Sequence, residues 1–362
     1  MTSPEGQKGL SDLLLHPYPS PQHRKDTLML YGEHLLGALP LDVIELTAQR
    51  VPVGVAYVLP YTQPTQPSSK WAEVFRIELL KSVQDSNVQE QLLVYLYTLS
   101  QQHPFLFQQV LQLHGNALKQ RAVEDEQVYR LLIHHFVFET PLGRITLDEH
   151  FKHSGHLRYI TDPHQYQQIQ RVAAAQQHLI LNVAFDQDAA LLARYHGFYP
   201  ESSVDALDAG QYADLLPAIE VTGNWLETAQ SLLAPQLVQV EVRHFQPAHL
   251  PALLVASEAH LKFRHQNPAR TSPVVQAMVK ELMSQGQLPA MRLVLNHAHP
   301  LVQELTLIQD QAVLEEVLKM IYLQARMLGN LPMGETELQM ASGGLQQLLV
   351  WGLQATRFRD VN

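Results

Sequence analysis

This chain has no cysteine. Disulfides, thiolate metal sites and cysteine nucleophiles are therefore excluded, and the composition fits a reducing compartment. Charge is also scarce: 17% of residues are Asp, Glu, Lys or Arg, against roughly 25% in an average globular protein. The 25 basic residues are outnumbered by 35 acidic ones. No basic cluster exceeds His23-Arg24-Lys25. Nucleic acid is thereby excluded as a main partner, because phosphate binding needs clustered Lys and Arg. No apolar run reaches the ~18 residues of a membrane-spanning helix, and the first residues, MTSPEGQKGL, lack a charged lead followed by an apolar core. The reading is a soluble cytoplasmic protein without a membrane partner.

What is present is length and apolar content. With 362 residues, 46% of them hydrophobic, the chain has room for two or three domains. Uncharged polar residues, glutamine above all, must cover much of the surface. Residues 1–26 are rich in Pro, Ser, Gly and charge and read as a flexible lead-in. Residues 27–70 hold a short helix over 28–39 and strand-like runs over 43–46 and 53–59. Residues 71–140 are helical in pattern, beginning with FRIELLKSV, and Pro104 suits a first helical turn. Residues 141–215 alternate strand, helix, strand, helix, which is a βαβ unit with a small parallel sheet. Residues 216–356 open with two strands, 237–245 and 250–257, read as a hairpin. A helix over SPVVQAMVKELMSQ follows, and then an apolar helix pair. The fold class is α/β with α+β segments: a helical layer, a small βαβ domain and a C-terminal α+β domain.

The closing helix pair constrains the chain most. Leu314, Val317, Leu318, Ile321, Ala325 and Leu328 recur at helical spacing on one face, and Leu338, Leu345, Leu348, Leu349 and Gly352 do so in the last run. GNLPMGE separates the two. Such faces must be buried against the rest of the chain or against a second copy.

Reactive chemistry is harder to find. His150, His153 and His156 have the spacing of a metal-binding face, with Asp148 and Glu149 just ahead. Gly155 interrupts the helix, however, and no HExxH base is present. Surface histidine is the competing reading. His299, before Pro300, is placed to cap a helix. The glycines form no phosphate-binding loop, and G-x-S-x-G is absent. The acidic groups Glu124-Asp125-Glu126 and Glu315-Glu316 suit helix starts or exposed faces. No catalytic residue, cofactor or metal is assigned.

The order of segments carries a resemblance. RLVLNHAHPLVQEL, followed by a helix ending LKMIYLQARMLGN, resembles the start of the C-terminal dimerisation region of the heat-shock protein 90 chaperones. Upstream, GRITLDEHF with LRYIT, then LILNVAFDQDAALL, resemble the middle domain of that family, and AYVLPY resembles a strand of its bacterial branch. The colinear order over about residues 30–355 carries the likeness. The family's N-terminal ATPase domain has no counterpart in these residues, and 27–70 corresponds to a reduced remnant of its large middle-domain sheet. The resemblance places Arg76 where the family has a phosphate-contacting arginine, although the flanking Ser and Glu are missing. A solvated first-turn arginine is the alternative.

The resemblance implies a stress-response chaperone-like homodimeric scaffold that binds client or partner proteins without hydrolysing ATP. Its dimer interface would comprise Leu314, Val317, Leu318, Ile321, Ala325, Leu345, Leu348 and Leu349. The same helices could pair with a full-length relative. Client contact is expected at Trp225 and at Met278, Leu282 and Met283, with Trp71, Phe75 and Phe263 as further apolar candidates; methionine suits adaptable surfaces. One alternative is a truncated portion of an ATP-dependent chaperone whose nucleotide domain lies outside this chain. Another is a His-dependent metalloenzyme built around 148–164.

Overall fold

The computed structural model describes residues 4–62, 71–80, 86–184, 186–221, 223–236, 238–256 and 291–359. It divides into two compact units. One comprises Met1–Val137, Thr146–Asp148 and Ala190–Arg194, and the other Phe138–Ile145, Glu149–Ala189 and Tyr195–Asn362.

The first unit begins with α1 (Pro4–Leu15) and α2 (Pro21–Leu36). The expected flexible lead-in is therefore corrected. Leu10 and Leu14 of α1 are buried with Leu28, Val55 and Tyr57, so an apolar stripe holds these residues despite the Pro-rich connection. Ser20 caps α2 by accepting from the His23 backbone N–H at 3.1 Å, and Gly37 ends it in a left-handed conformation. Strands β1 (Asp42–Ala48), β2 (Val51–Val58) and β3 (Phe75–Leu79) form an antiparallel meander in that order. Gln49 and Arg50 make the β1–β2 turn with φ of 50° and 67°, the positive values a two-residue hairpin needs. Nothing in Gln-Arg announces that turn.

The run FRIEL is a strand, where the sequence pattern predicts a helix; it pairs with β2 from Gly54↔Leu79 to Val58↔Phe75. Helices α3 (Ser86–Gln102), α4 (Pro104–Glu124) and α5 (Glu126–Leu132) follow. Pro104 opens α4 as expected. The Gln91 side chain, reaching from α3, donates to Thr47 O and accepts from Thr47 N, both at 2.8 Å. One amide thus satisfies both backbone groups of an edge residue as a neighbouring strand would.

The second unit contains two sheets. One has the order β5-β4-β7-β6-β8, built from β4 (Val137–Thr140), β5 (Gly143–Thr146), β6 (His156–Ile160), β7 (Ile180–Asn182) and β8 (Ser203–Ala206). Strand β6 is parallel to both β7 and β8, as a βαβ unit requires, while β4 is antiparallel to β7. Between these strands run α6 (Leu147–His153), α7 (Pro163–Ala175) and α8 (Asp186–Phe198), with α9 (Ala209–Asp214) after β8.

Helix α10 (Asn224–Leu233) leads to the other sheet, of order β10-β11-β9, with β9 (Val238–Arg243), β10 (Ala252–Ala256) and β11 (Met291–Asn296). The expected β9–β10 hairpin is corrected: β11 lies between them, antiparallel to β10 and parallel to β9. The polar alternation of VQVEVR suits an edge strand, whereas MRLVLN is buried at five of its six residues and takes the centre. The sheet has a core on each face. Ala252, Leu254, Ala256, Leu293 and Leu295 join Trp225, Leu314, Leu318 and Ile321 on one side. Leu253, Val255 and Val294 join Ile169, Val172 and Tyr212 on the other. The unit closes with α11 (Pro300–Glu304), α12 (Gln311–Leu328) and α13 (Glu335–Arg359). Among the described residues no helix is long and apolar enough to cross a membrane.

Candidate functional site: the C-terminal helix pair

The helix pair is anchored by the residues that lead into it. Asn296, fully buried at the end of β11, uses both ends of its amide. Its Nδ2 donates to Leu250 O at 2.9 Å and Pro247 O at 3.3 Å, and its Oδ1 accepts from Ala298 N at 3.0 Å and Phe245 N at 3.2 Å. No other side chain of this size carries two donors beside two acceptor sites. Three residues on, His299 Nδ1 accepts from Leu301 N at 3.1 Å and caps α11, the role the sequence predicts for it.

Asp310 then caps α12 by accepting from Ala312 N at 2.9 Å. Leu314, Leu318, Ile321 and Ala325 of α12 are buried in the core of their own unit, with Val317 partly buried against it. The expected interface is corrected at those five positions. An apolar stripe read from periodicity cannot say which neighbour covers it, and here β10, β11 and α10 do so.

The turn between the helices is held from inside. Arg326 is buried on α12, where its guanidinium donates to Pro332 O, to Tyr322 Oη at 2.8 Å and to the Glu337 carboxylate at 3.3 Å. Glu337 also accepts from Gly334 N at 2.9 Å. Gly344 fixes the closest approach: a Cβ there would stand 2.5 Å from Glu316 Oε1 and 2.7 Å from Met320 Sδ. Met340 and Ala341 pack against the core of the unit.

Much of α13 up to Gln354 is left uncovered. Leu338, Leu345, Leu349 and Leu353 are 57%, 56%, 60% and 65% exposed, with Leu348 and Val350 beside them. The spacing of seven, four and four residues puts those four leucines in one stripe. Of the predicted interface, Leu345, Leu348 and Leu349 therefore present their side chains outward.

Other predicted positions fare differently. Trp225, Trp71 and Phe75 are buried core residues, so they are corrected as contact surfaces; aromatic rings of this size stabilise most when enclosed. Met278, Leu282, Met283 and Phe263 lie outside the described residues. Arg76 sits on β3, not in a first helical turn, and its guanidinium is 2.7 Å from Glu78 Oε1, the same-face neighbour two residues along the strand. It is a paired strand arginine.

The three histidines do not converge. His150 is buried and its Nε2 lies 3.3 Å from His156 O, while His156 Nε2 lies 2.6 Å from Asp205 Oδ2. Burial lowers the His150 pKa, against a smaller opposing effect of the His156 carbonyl. Among the described residues no group of three or more His, Asp or Glu is arranged to hold a metal.

Sequence reasoning missed Arg326 and Glu337. Their only signal is that Arg326 continues the Leu318–Tyr322 line at four-residue intervals, which puts a charge on an apolar face.

No protein-family model matches this chain, and no curated protein matches it in sequence. Among solved structures it is similar to the middle domain of a Plasmodium falciparum heat shock protein, with 12% identity and a TM-score of 0.35. That match covers 50% of this chain and 94% of the other. An overlap that loose assigns neither fold nor function.

Proposed function

We propose that this protein is a homodimeric, chaperone-like cytoplasmic scaffold that binds client or partner proteins and hydrolyses no ATP itself. The exposed leucine stripe of α13 carries the reading, and the colinear sequence resemblance supports its direction. A second copy is the occupant best suited to the stripe. Leu338, Ser342, Leu345, Leu349 and Gly352 follow at alternating four- and three-residue steps, the seam of two paired helices, and a two-fold axis lets one such seam meet itself.

Magnitudes set the expected strength. Burying the remaining exposed part of each leucine is worth roughly 1–1.5 kcal/mol, or about 10 kcal/mol over the eight leucines of a pair. Association itself costs about 4–15 kcal/mol. The stripe alone therefore supports a weak dimer, and Leu348 and Val350 must also be covered for a tight one. The dimerisation surface is narrower than the sequence suggests, because α12 is already used in the core.

Client contact moves to the first unit in this reading. Phe105, at the start of α4, is 87% exposed, and Val94 and Tyr97 stand one turn apart on the outer side of α3. Exposed aromatic and aliphatic groups of this kind suit unfolded segments.

Light scattering tests the assembly directly. With Leu348 and Val350 covered as well as the stripe, a mass of twice the 41.0 kDa chain is expected at micromolar concentration, and a monomer throughout that range overturns the proposal. The same preparation should slow aggregation of an unfolded reporter protein without nucleotide. ATP turnover by the purified chain would contradict the non-enzymatic part.

A further inference from the structure

The β4–β5 hairpin and α7 border an open cavity of about 670 Å³, lined by Glu139, Thr140, Gly143, Arg144, Gln170 and Arg171 among others. Arg144 and Arg171 both line this space, and neither side chain has an ion pair or hydrogen bond to another described residue. Several other arginines are spent differently. Arg121 holds Glu124 and Asp125, Arg243 and Arg292 share Asp214 and Glu241, and Arg326 is buried on a carbonyl. In a chain of net charge −10, two arginines that line one cavity and make no ion pair offer their charge to an anion.

Both arginines stand on firm supports. Arg144 follows Gly143, whose φ of +119° is open only to glycine. Thr140 ties that turn by donating to Gly143 O at 2.7 Å and accepting from Leu142 N at 3.2 Å. Arg171 lies on α7, which Asp162 caps by accepting from His164 N at 2.7 Å. Rigid supports reduce the ordering cost of binding. Glu139 is the single acid in the lining, and Asn182 Nδ2 donates to it at 3.3 Å. Tyr166, one turn before Gln170, has a buried hydroxyl with no hydrogen-bond partner among the described residues. It lies near enough to Glu139 for that carboxylate, after burial, to help hold its proton.

We propose that this cavity binds a small phosphate monoester whose other end carries hydroxyl groups, a phosphorylated sugar or polyol. The forked donors of Arg144 and Arg171 match the phosphate oxygens. Glu139 and Gln170 accept from the hydroxyls, which is why a bare anion fits less well: held at the two arginines, it is too small to supply hydroxyls to the rest of the lining as well.

Isothermal titration at constant ionic strength tests this with ribose 5-phosphate, inorganic phosphate and ribose on the full chain. Ribose 5-phosphate should bind with a Kd of about 1 mM or lower and at least roughly tenfold more tightly than inorganic phosphate. Arg144→Met or Arg171→Met should weaken it roughly tenfold, with the melting temperature of the free protein unchanged. Glu139→Gln should narrow the gap between ester and phosphate. Absence of saturable binding by the ester overturns the proposal, as does binding that survives the double arginine variant or equal affinity for the ester and phosphate. Leu345→Glu, which addresses dimerisation, should leave this binding intact.

Discussion

The Arg326 guanidinium donates twice to the Pro332 carbonyl six residues later, through Nε at 3.0 Å and Nη2 at 2.6 Å. This contact fixes the exit of α12 and so the line along which α13 departs. Replacing Arg326 with Met leaves the Pro332 carbonyl without its donors and Glu337 without its cation. We expect a loss of roughly 3 kcal/mol in urea unfolding, together with increased protease cutting in 329–334.

If the stripe forms the proposed dimer, Leu345→Glu combined with Leu349→Glu should convert it to a folded monomer. Both side chains are exposed, so the substitutions cost little in the isolated chain. Leu318→Glu should instead unfold the second unit, because that position is fully enclosed and a core carboxylate costs more than about 4 kcal/mol. Light scattering with circular dichroism separates the outcomes. A dimer that persists with both α13 leucines replaced removes the stripe as the interface.

Asn296→Ala should cost roughly 4 kcal/mol, because two donors and two acceptors of the surrounding backbone lose their partners together. Asn296→Asp is expected to restore little. It keeps both acceptor contacts but loses the donors to Leu250 and Pro247 and adds a buried charge. Urea midpoints for the two variants check this.

Stability should fall as the solution becomes acidic. Burial pushes the imidazoles of His114 and His150 below the ordinary 6.5, and the carbonyls they face, of Leu59 and His156, only partly oppose it. Nδ1 of His150 has no hydrogen-bond partner among the described residues. The folded state thus keeps these rings neutral while the unfolded chain takes up protons below pH 6.5. Their contribution is complete above 6.5 and declines as pH falls through 6.5 toward the folded-state values. The urea midpoint should drop between neutral pH and about pH 5.5, and His114→Gln with His150→Gln should flatten that dependence.

Much of the fold is legible from local pattern. The βαβ unit follows from strand–helix spacing, and α4 starts at Pro104 because that residue lacks only an N–H the first turn does not need. His299 is recognisable as a cap because it precedes a proline. The failures share a cause. FRIEL has apolar residues at positions that satisfy a helix or a strand, and its pairing with β2 decides between them. Strands β9 and β10 are neighbours in sequence, which favours a hairpin, yet β11, some 35 residues after β10, pairs with both and separates them. Arg144 and Arg171 carry no local signal, since only the approach of a hairpin to α7 makes them neighbours.

The sequence by itself determined that this chain has no cysteine, more acidic than basic residues and an apolar helix pair over residues 311–353. Those properties follow from composition and period, which are local. Only the tertiary structure decided which helix of the pair is spent. Periodicity reports that a face must be covered and does not report by what. The sheet of β9, β10 and β11 covers α12, Gly344 lets α13 approach it along one side, and the leucines on the other side remain open.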